Sequence, residues 1–231
     1  MIQGDIGSVK PEDLKTYPLG SILGGGSSPP IGAPDRSPQK PWVDTARAFR
    51  EGAAQRQGGT HIPLIFGIDA VHGNNNVVGA TLFPHNIGLG AARDPDLIRR
   101  IGEATAQEMV ATGADWTFGP TVAVPRDERW GRAYEGYAED PEVVKAYSGP
   151  MTLGLQGPLI AGKPLGEGHV AGSAKHFLAD GGTTGGKDQG DAQISEADLV
   201  RLHAAGYPPA IDAGILSVMV SFSSWHGVKH T

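Results

Sequence analysis

Apolar runs of strand type recur at fairly even spacing along the chain, at residues 19–23, 62–68, 116–118, 170–174 and 215–222. Between them the apolar positions take helical spacing. The clearest case is 94–113, where Ile98, Ile101, Thr105 and Met109 fall on one face at i, i+3, i+7 and i+11. Asp94 suits the N-cap, Pro95 the first turn and Gly113 the C-terminal stop. A second helix is predicted over 41–57, and Asp140-Pro141-Glu142 opens a third toward Gly157. Ser195-Glu196-Ala197-Asp198 places an acid three residues after a serine, the spacing of a capping box, and predicts a helix running toward Gly214.

Strands alternating with helices imply βα units and a parallel sheet. Five strand candidates are present, whereas a closed (β/α)8 barrel has eight. An open doubly wound sheet fits the pattern equally well, so periodicity leaves both open. Two stretches read as loops. Residues 27–41 carry five prolines, and 180–191 is the most hydrophilic stretch, predicted to be a mobile loop. The 35 glycines and 18 prolines sit mostly between apolar segments, as short turns require.

Composition removes several function classes. Without cysteine there are no disulfides, no thiolate catalysis and no cysteine-ligated zinc. A net charge of −6 without a basic patch argues against nucleic acid as a partner. No apolar run approaches the ~18 residues of a membrane span. Met1-Ile2-Gln3-Gly4-Asp5 has neither the basic nor the apolar region of a signal peptide. Gly181 through Gly186-Lys187 matches a phosphate-binding loop except at Asp188, an acid where a hydroxyl must bind magnesium. Gly24-Gly25-Gly26 reads as a tight turn. No H-E-x-x-H or G-x-S-x-G pattern occurs, so no metal and no cofactor is expected.

The polar residues that remain gather at the C-terminal ends of the strand candidates, where βα folds place their sites. Asp69 and His72 follow 62–68. Lys175 and His176 follow 170–174. Ser221, Ser223 and Trp225 close the 215–222 run. Local capping explains any one of these alone, but not all of them together. The set suits recognition of a polyol: Asp69 accepts from neighbouring hydroxyls, while Lys175, His176 and Arg132 supply donors. The faces of Trp130 and Trp225 suit either stacking on a pyranose or core packing.

Residues 67–90 closely resemble the N-terminal barrel domain of glycoside hydrolase family 3, nearest to β-glucosidases and exo-acting β-glucan glucohydrolases. Three further matches follow in order: Asp127-Glu128-Arg129-Trp130-Gly131-Arg132, Ala174-Lys175-His176-Phe177, and 218–225. Together they take in the chain from Met1 to Thr231 as one partial barrel domain. The resemblance implies an α/β fold, an incomplete (β/α)8 TIM barrel with about five of the eight βα units of that fold.

By the same resemblance, Asp69, Arg132, Lys175 and His176 hold a terminal glucosyl unit, and Met219, Phe222 and Trp225 line its surroundings. The sequence departs from the family in two places. Asp127-Glu128 stands where many members have Asp-Pro, and Phe222 where some have tyrosine. The family's nucleophilic aspartate is expected beyond Thr231, and its acid/base glutamate in a second, sandwich domain. The resemblance therefore implies a retaining hydrolase of non-reducing terminal β-D-glucosyl residues, acting on β-glucosides or β-glucan oligosaccharides. This chain is expected to hold sugar without hydrolysing it; the alternative is a non-catalytic glycan-binding or complementing fragment. The sequence assigns no compartment; a periplasmic or secreted location is compatible with the full-length parent. Open barrel edges predict self-association.

Overall fold

The computed structural model describes residues 2–58 and 62–230. Met1 and Thr231, the ends of the resemblance, lie outside the described residues. The strands in chain order are β1 (Ile2–Asp5), β2 (Leu19–Gly24), β3 (Ile65–Ile68), β4 (Trp116–Thr117), β5 (Ser173–Phe177), β6 (Asp191–Ala192), β7 (Ser217–Val220), β8 (Ser224–Trp225) and β9 (Val228–Lys229). The helices are α1 (Gln39–Ala54), α2 (Asn86–Ala92), α3 (Pro95–Ala111), α4 (Pro141–Gln156), α5 (Glu196–Asp198) and α6 (Tyr207–Asp212).

Strand order decides between barrel and open sheet. β1, β2, β3 and β4 pair in parallel in that order, and β5 pairs in parallel with β7. Bridges from Trp116 to Ala171 and from Thr121 to Lys175 carry the wall from β4 to β5. Each long strand thus lies beside its predecessor in the chain. A doubly wound sheet reverses its order at a switch point; this wall does not, as an incomplete α/β barrel requires. The strand Ile2–Asp5 adds a member that the apolar pattern did not predict, because its four residues include Gly4 and alternate too briefly.

Two apolar cores fill the layers. One holds Ile22, Trp42, Phe49, Phe66 and Ile68 between the first strands and α1. The other holds Val122, Tyr137, Val144, Tyr147 and Ala174 beneath α4 and α6. Helix α3 serves both, with Ile98 and Ile101 in the second and Ala106 and Met109 in the first. Its start is capped as predicted, Asp94 accepting from Leu97 N at 2.9 Å. Helix α4 begins the same way, Asp140 accepting from Glu142 N at 2.9 Å, and stops at Gly157 with φ 65°.

One predicted helix is corrected. The segment after Ser195 does not run unbroken toward Gly214. Ser195 caps α5 by accepting from Asp198 N at 3.1 Å, a π-helical turn follows over Leu199–His203, and α6 starts anew at Tyr207. Pro208 and Pro209 explain the break, since proline donates no backbone hydrogen bond and is tolerated only in a first turn. The stretch 180–191 is also more ordered than its polarity suggests. It folds into two short 3-10 turns, Asp180–Gly182 and Thr184–Gly186, with Asp180, Gly181 and Gly186 buried.

At the outer face of β7, Leu216, Val218, Val220 and Phe222 are exposed by 51, 42, 43 and 67%. Among the described residues no strand pairs with the free edge of β7, so this side is both apolar and unpaired. Among the described residues no helix is long and apolar enough to cross a membrane.

Helices α3 and α4 touch through glycines. A Cβ on Gly154 would lie 2.3 Å from the Arg99 carbonyl oxygen and 2.9 Å from Gly102 Cα. Backbone cannot yield as a flexible side chain can, so Gly154→Ala is expected to cost about 1–3 kcal/mol. A lowered midpoint of urea unfolding, with no such change for alanine at the uncrowded Gly88, is the expected result.

Candidate functional site

The strand ends bring four of the seven sequence-predicted site residues together. Asp69 follows β3 directly, Lys175 and His176 lie on β5, and Arg132 closes the loop after β4. Lys175 Nζ donates to Asp69 Oδ1 at 2.6 Å, across 106 residues of chain. The lysine side chain is 3% exposed and the aspartate 50%. The ammonium is thus buried while the carboxylate keeps an oxygen open to the cleft. Arg132 lies in the same cleft, with Glu135, His72, Tyr134, Asn75 and Asn76.

Arg132 is held by a carboxylate that sequence reasoning missed. Its Nε and Nη2 donate to Glu135 Oε1 and Oε2 at 2.7 and 2.8 Å. Burial pushes the Glu135 carboxyl up, but the hydrogen bonds and charge of Arg132, with Lys175 beyond, leave it below its usual range. Asn86 Nδ2 donates to the Glu135 carbonyl at 2.7 Å and fixes that turn from behind. His176 has both ring nitrogens engaged, Nδ1 with Asp180 Oδ2 at 2.7 Å and Nε2 with Arg132 Nη2 at 3.1 Å.

The turn after β2 closes against the site. Asn76 Nδ2 donates to the Asp69 carbonyl at 2.7 Å, and its Oδ1 accepts from Gly26 N at 3.1 Å. Gly25, at φ 85°, would place a Cβ 2.6 Å from Asn76 Oδ1, so glycine is required where the turn passes this close. The rings of His72 and His85 stack at 4.6 Å and those of His85 and Tyr134 at 4.7 Å. Burial, then the neighbouring His85, pushes His72 below its ordinary range.

The other three predicted residues sit differently. Met219 on β7 is in register with Lys175, one strand along the wall. Phe222 projects to solvent. Trp225 packs on the second core, its Nε1 donating to Ile194 O at 2.9 Å. Neither Phe222 nor Trp225 lines the cleft with Asp69. For Trp130, left open between stacking and packing, the structure shows burial: it is 2% exposed, and its Nε1 donates to Asp188 Oδ1 at 3.0 Å. Among the described residues no three His, Asp or Glu side chains are grouped to hold a metal ion.

Comparison with known proteins places this geometry. The model of the "Glycosyl hydrolase family 3 N terminal domain" matches residues 1–231. A crystal structure of a mutant exo-1,3/1,4-β-glucanase from a Pseudoalteromonas species is 50% identical, with a TM-score of 0.93 over 99% of this chain and 37% of that one. The lysosomal β-glucosidase of Dictyostelium discoideum is 32% identical over 94% of this chain and 27% of its own length. A β-glucosidase from Listeria innocua, solved in complex with glucose, is 26% identical, with a TM-score of 0.73 over 98% of this chain and 31% of that one. The chain thus spans 27 to 37% of the length of these proteins.

Behind the cleft, His203 is 3% exposed, and among the described residues neither ring nitrogen has a partner. Burial pushes it down to about 4, Asp180 and Asp198 pulling upward and Arg126 downward. The unfolded chain therefore takes up a proton below the ordinary value of 6.5 that the fold refuses until about 4. Stability is retained above that window and falls as pH drops through it, by up to about 1.4 kcal/mol per pH unit. His203→Phe should remove this contribution, so the gap in unfolding free energy between variant and wild type should change between pH 7 and pH 5.

Proposed function

The chain belongs to glycosyl hydrolase family 3, and we propose that it forms the glucose-holding part of a β-glucosidase or exo-β-glucanase. The reaction is removal of non-reducing terminal β-D-glucosyl residues with retention. The observation that carries this reading is the pairing of half-open Asp69 with buried Lys175 at the cleft floor. A carboxylate fixed on one oxygen and open on the other accepts from sugar hydroxyls in one orientation. The relatives named as an exo-1,3/1,4-β-glucanase and β-glucosidases supply the substrate class.

The second half of the reading concerns turnover. A retaining glycosidase needs two carboxyl groups, one attacking the anomeric carbon and one protonating the leaving oxygen. The described cleft is lined by two, Asp69 and Glu135. Glu135 has both oxygens bound to Arg132, and its lowered pKa suits an ion, not a proton donor. Asp69 alone cannot perform both tasks. The chain by itself is therefore a binding half-site, with the nucleophile and acid supplied by further polypeptide.

The purified chain should bind glucose saturably, seen as shifts in its amide NMR spectrum, and release no nitrophenol from an aryl β-glucoside. Asp69→Ala should weaken the binding by tenfold or more, the effect of about 1.4 kcal/mol. Turnover that disappears in Asp69→Ala would overturn the binding-only reading.

A further inference from the structure

Beneath the cleft four side chains form one continuous hydrogen-bonded run. Asp180 Oδ2 lies 2.7 Å from His176 Nδ1, and His176 Nε2 lies 3.1 Å from Arg132 Nη2. Arg132 then grips Glu135 with two further bonds of 2.7 and 2.8 Å. The direction of each proton follows from the chemistry of the ends. A guanidinium only donates, so Nε2 of His176 accepts. A neutral imidazole that accepts on one nitrogen carries its proton on the other, so Nδ1 donates to the Asp180 carboxylate.

We propose that Asp180 is a positioning residue that fixes the tautomer of His176, making Nε2 an obligatory acceptor. Two consequences follow. Arg132 is held from two sides, by Glu135 and by His176, so its guanidinium plane is set before any sugar arrives. With Nδ1–H given to Asp180 and the Nε2 lone pair taken by Arg132, His176 also has no free N–H for a sugar oxygen, so it acts through Arg132 and not as the donor that its residue type suggested.

The placement of Asp180 supports this role. It opens the short turn Asp180–Gly182 and is 8% exposed. Its hydrogen-bonded neighbour His176 lies on β5, where the next residue, Phe177, is packed edge-on by Tyr207 at 5.1 Å. Gly182 lets the turn sit flat on His203, where a Cβ would come within 2.3 Å of Nε2. A buried carboxylate with one strong donor is oriented by that donor and orients it in return.

The part of this proposal that concerns sugar rests on the reading of the cleft as a glucose site; the tautomer does not. Two-bond proton–nitrogen NMR on the nitrogen-15-labelled chain, with His176 assigned through its backbone, reads the tautomer directly. At neutral pH the expected pattern is a protonated Nδ1 and a bare Nε2. Any other protonation state of His176 overturns the proposal, and this arm needs no variant to fold. In Asp180→Asn the side-chain amide can donate to Nδ1, so the population should move toward protonated Nε2. Glucose affinity should then fall roughly tenfold, since Nε2–H would face the donors of Arg132. An unchanged tautomer in folded Asp180→Asn also overturns the proposal. If glucose binds neither protein, the reading of the cleft fails while the tautomer still decides the role of Asp180.

Discussion

A buried ammonium must find a counter-charge, and the architecture of this chain turns on where Lys175 finds one. Leaving such a charge unpaired costs about 3–5 kcal/mol. Its partner, Asp69, comes from the strand end of β3, two strands away along the wall. The pair therefore fastens β3 to β5 at the end of the wall where the site lies. Arg132 and Glu135 add a second, equally compensated pair beside it. Two cations and two anions leave the cleft without net charge. Such a surface favours neutral, hydroxyl-rich ligands over ions, because each lone pair and each N–H is still oriented while no monopole is left to attract a counter-ion.

What was legible in the sequence is what depends on local periodicity. The buried face of α3 through Ile98, Ile101, Thr105 and Met109, its Asp94 cap and the glycine that ends α4 follow from spacing and backbone preference alone. So do the strand ends that deliver Asp69 and Lys175, since a parallel strand buried on both faces reads as a continuous apolar run. The strand Ile2–Asp5 was not legible, because four residues carry too little pattern. Nor was the split after Leu199–His203, where the capping box correctly announced a start but Pro208-Pro209 imposed a second one.

The supporting carboxylates were hidden for a different reason. Glu135 lies three residues after Arg132 and Asp180 four after His176, but such spacing is a signal only on a helical turn, which neither loop announces; burial decides which pair forms, and burial is a property of the fold. The hydrophilic stretch 180–191 shows the same limit. Its composition gives an average polarity, whereas its individual groups go to specific partners: Asp180 to His176, Asp188 to the Trp130 indole, Thr183 to the Lys187 carbonyl. A polar segment whose donors and acceptors are mostly matched inside the protein is structural despite its look.

Strand order that equals chain order sets how far apart in sequence the partners of each contact lie. It keeps each pairing of the wall between segments that follow one another along the chain. Such contacts close shorter loops, whereas the bond between Lys175 and Asp69 spans 106 residues and carries a larger entropic cost of closure. The wall is therefore the locally encoded part of the fold, and the cleft is the part that depends on distant sequence.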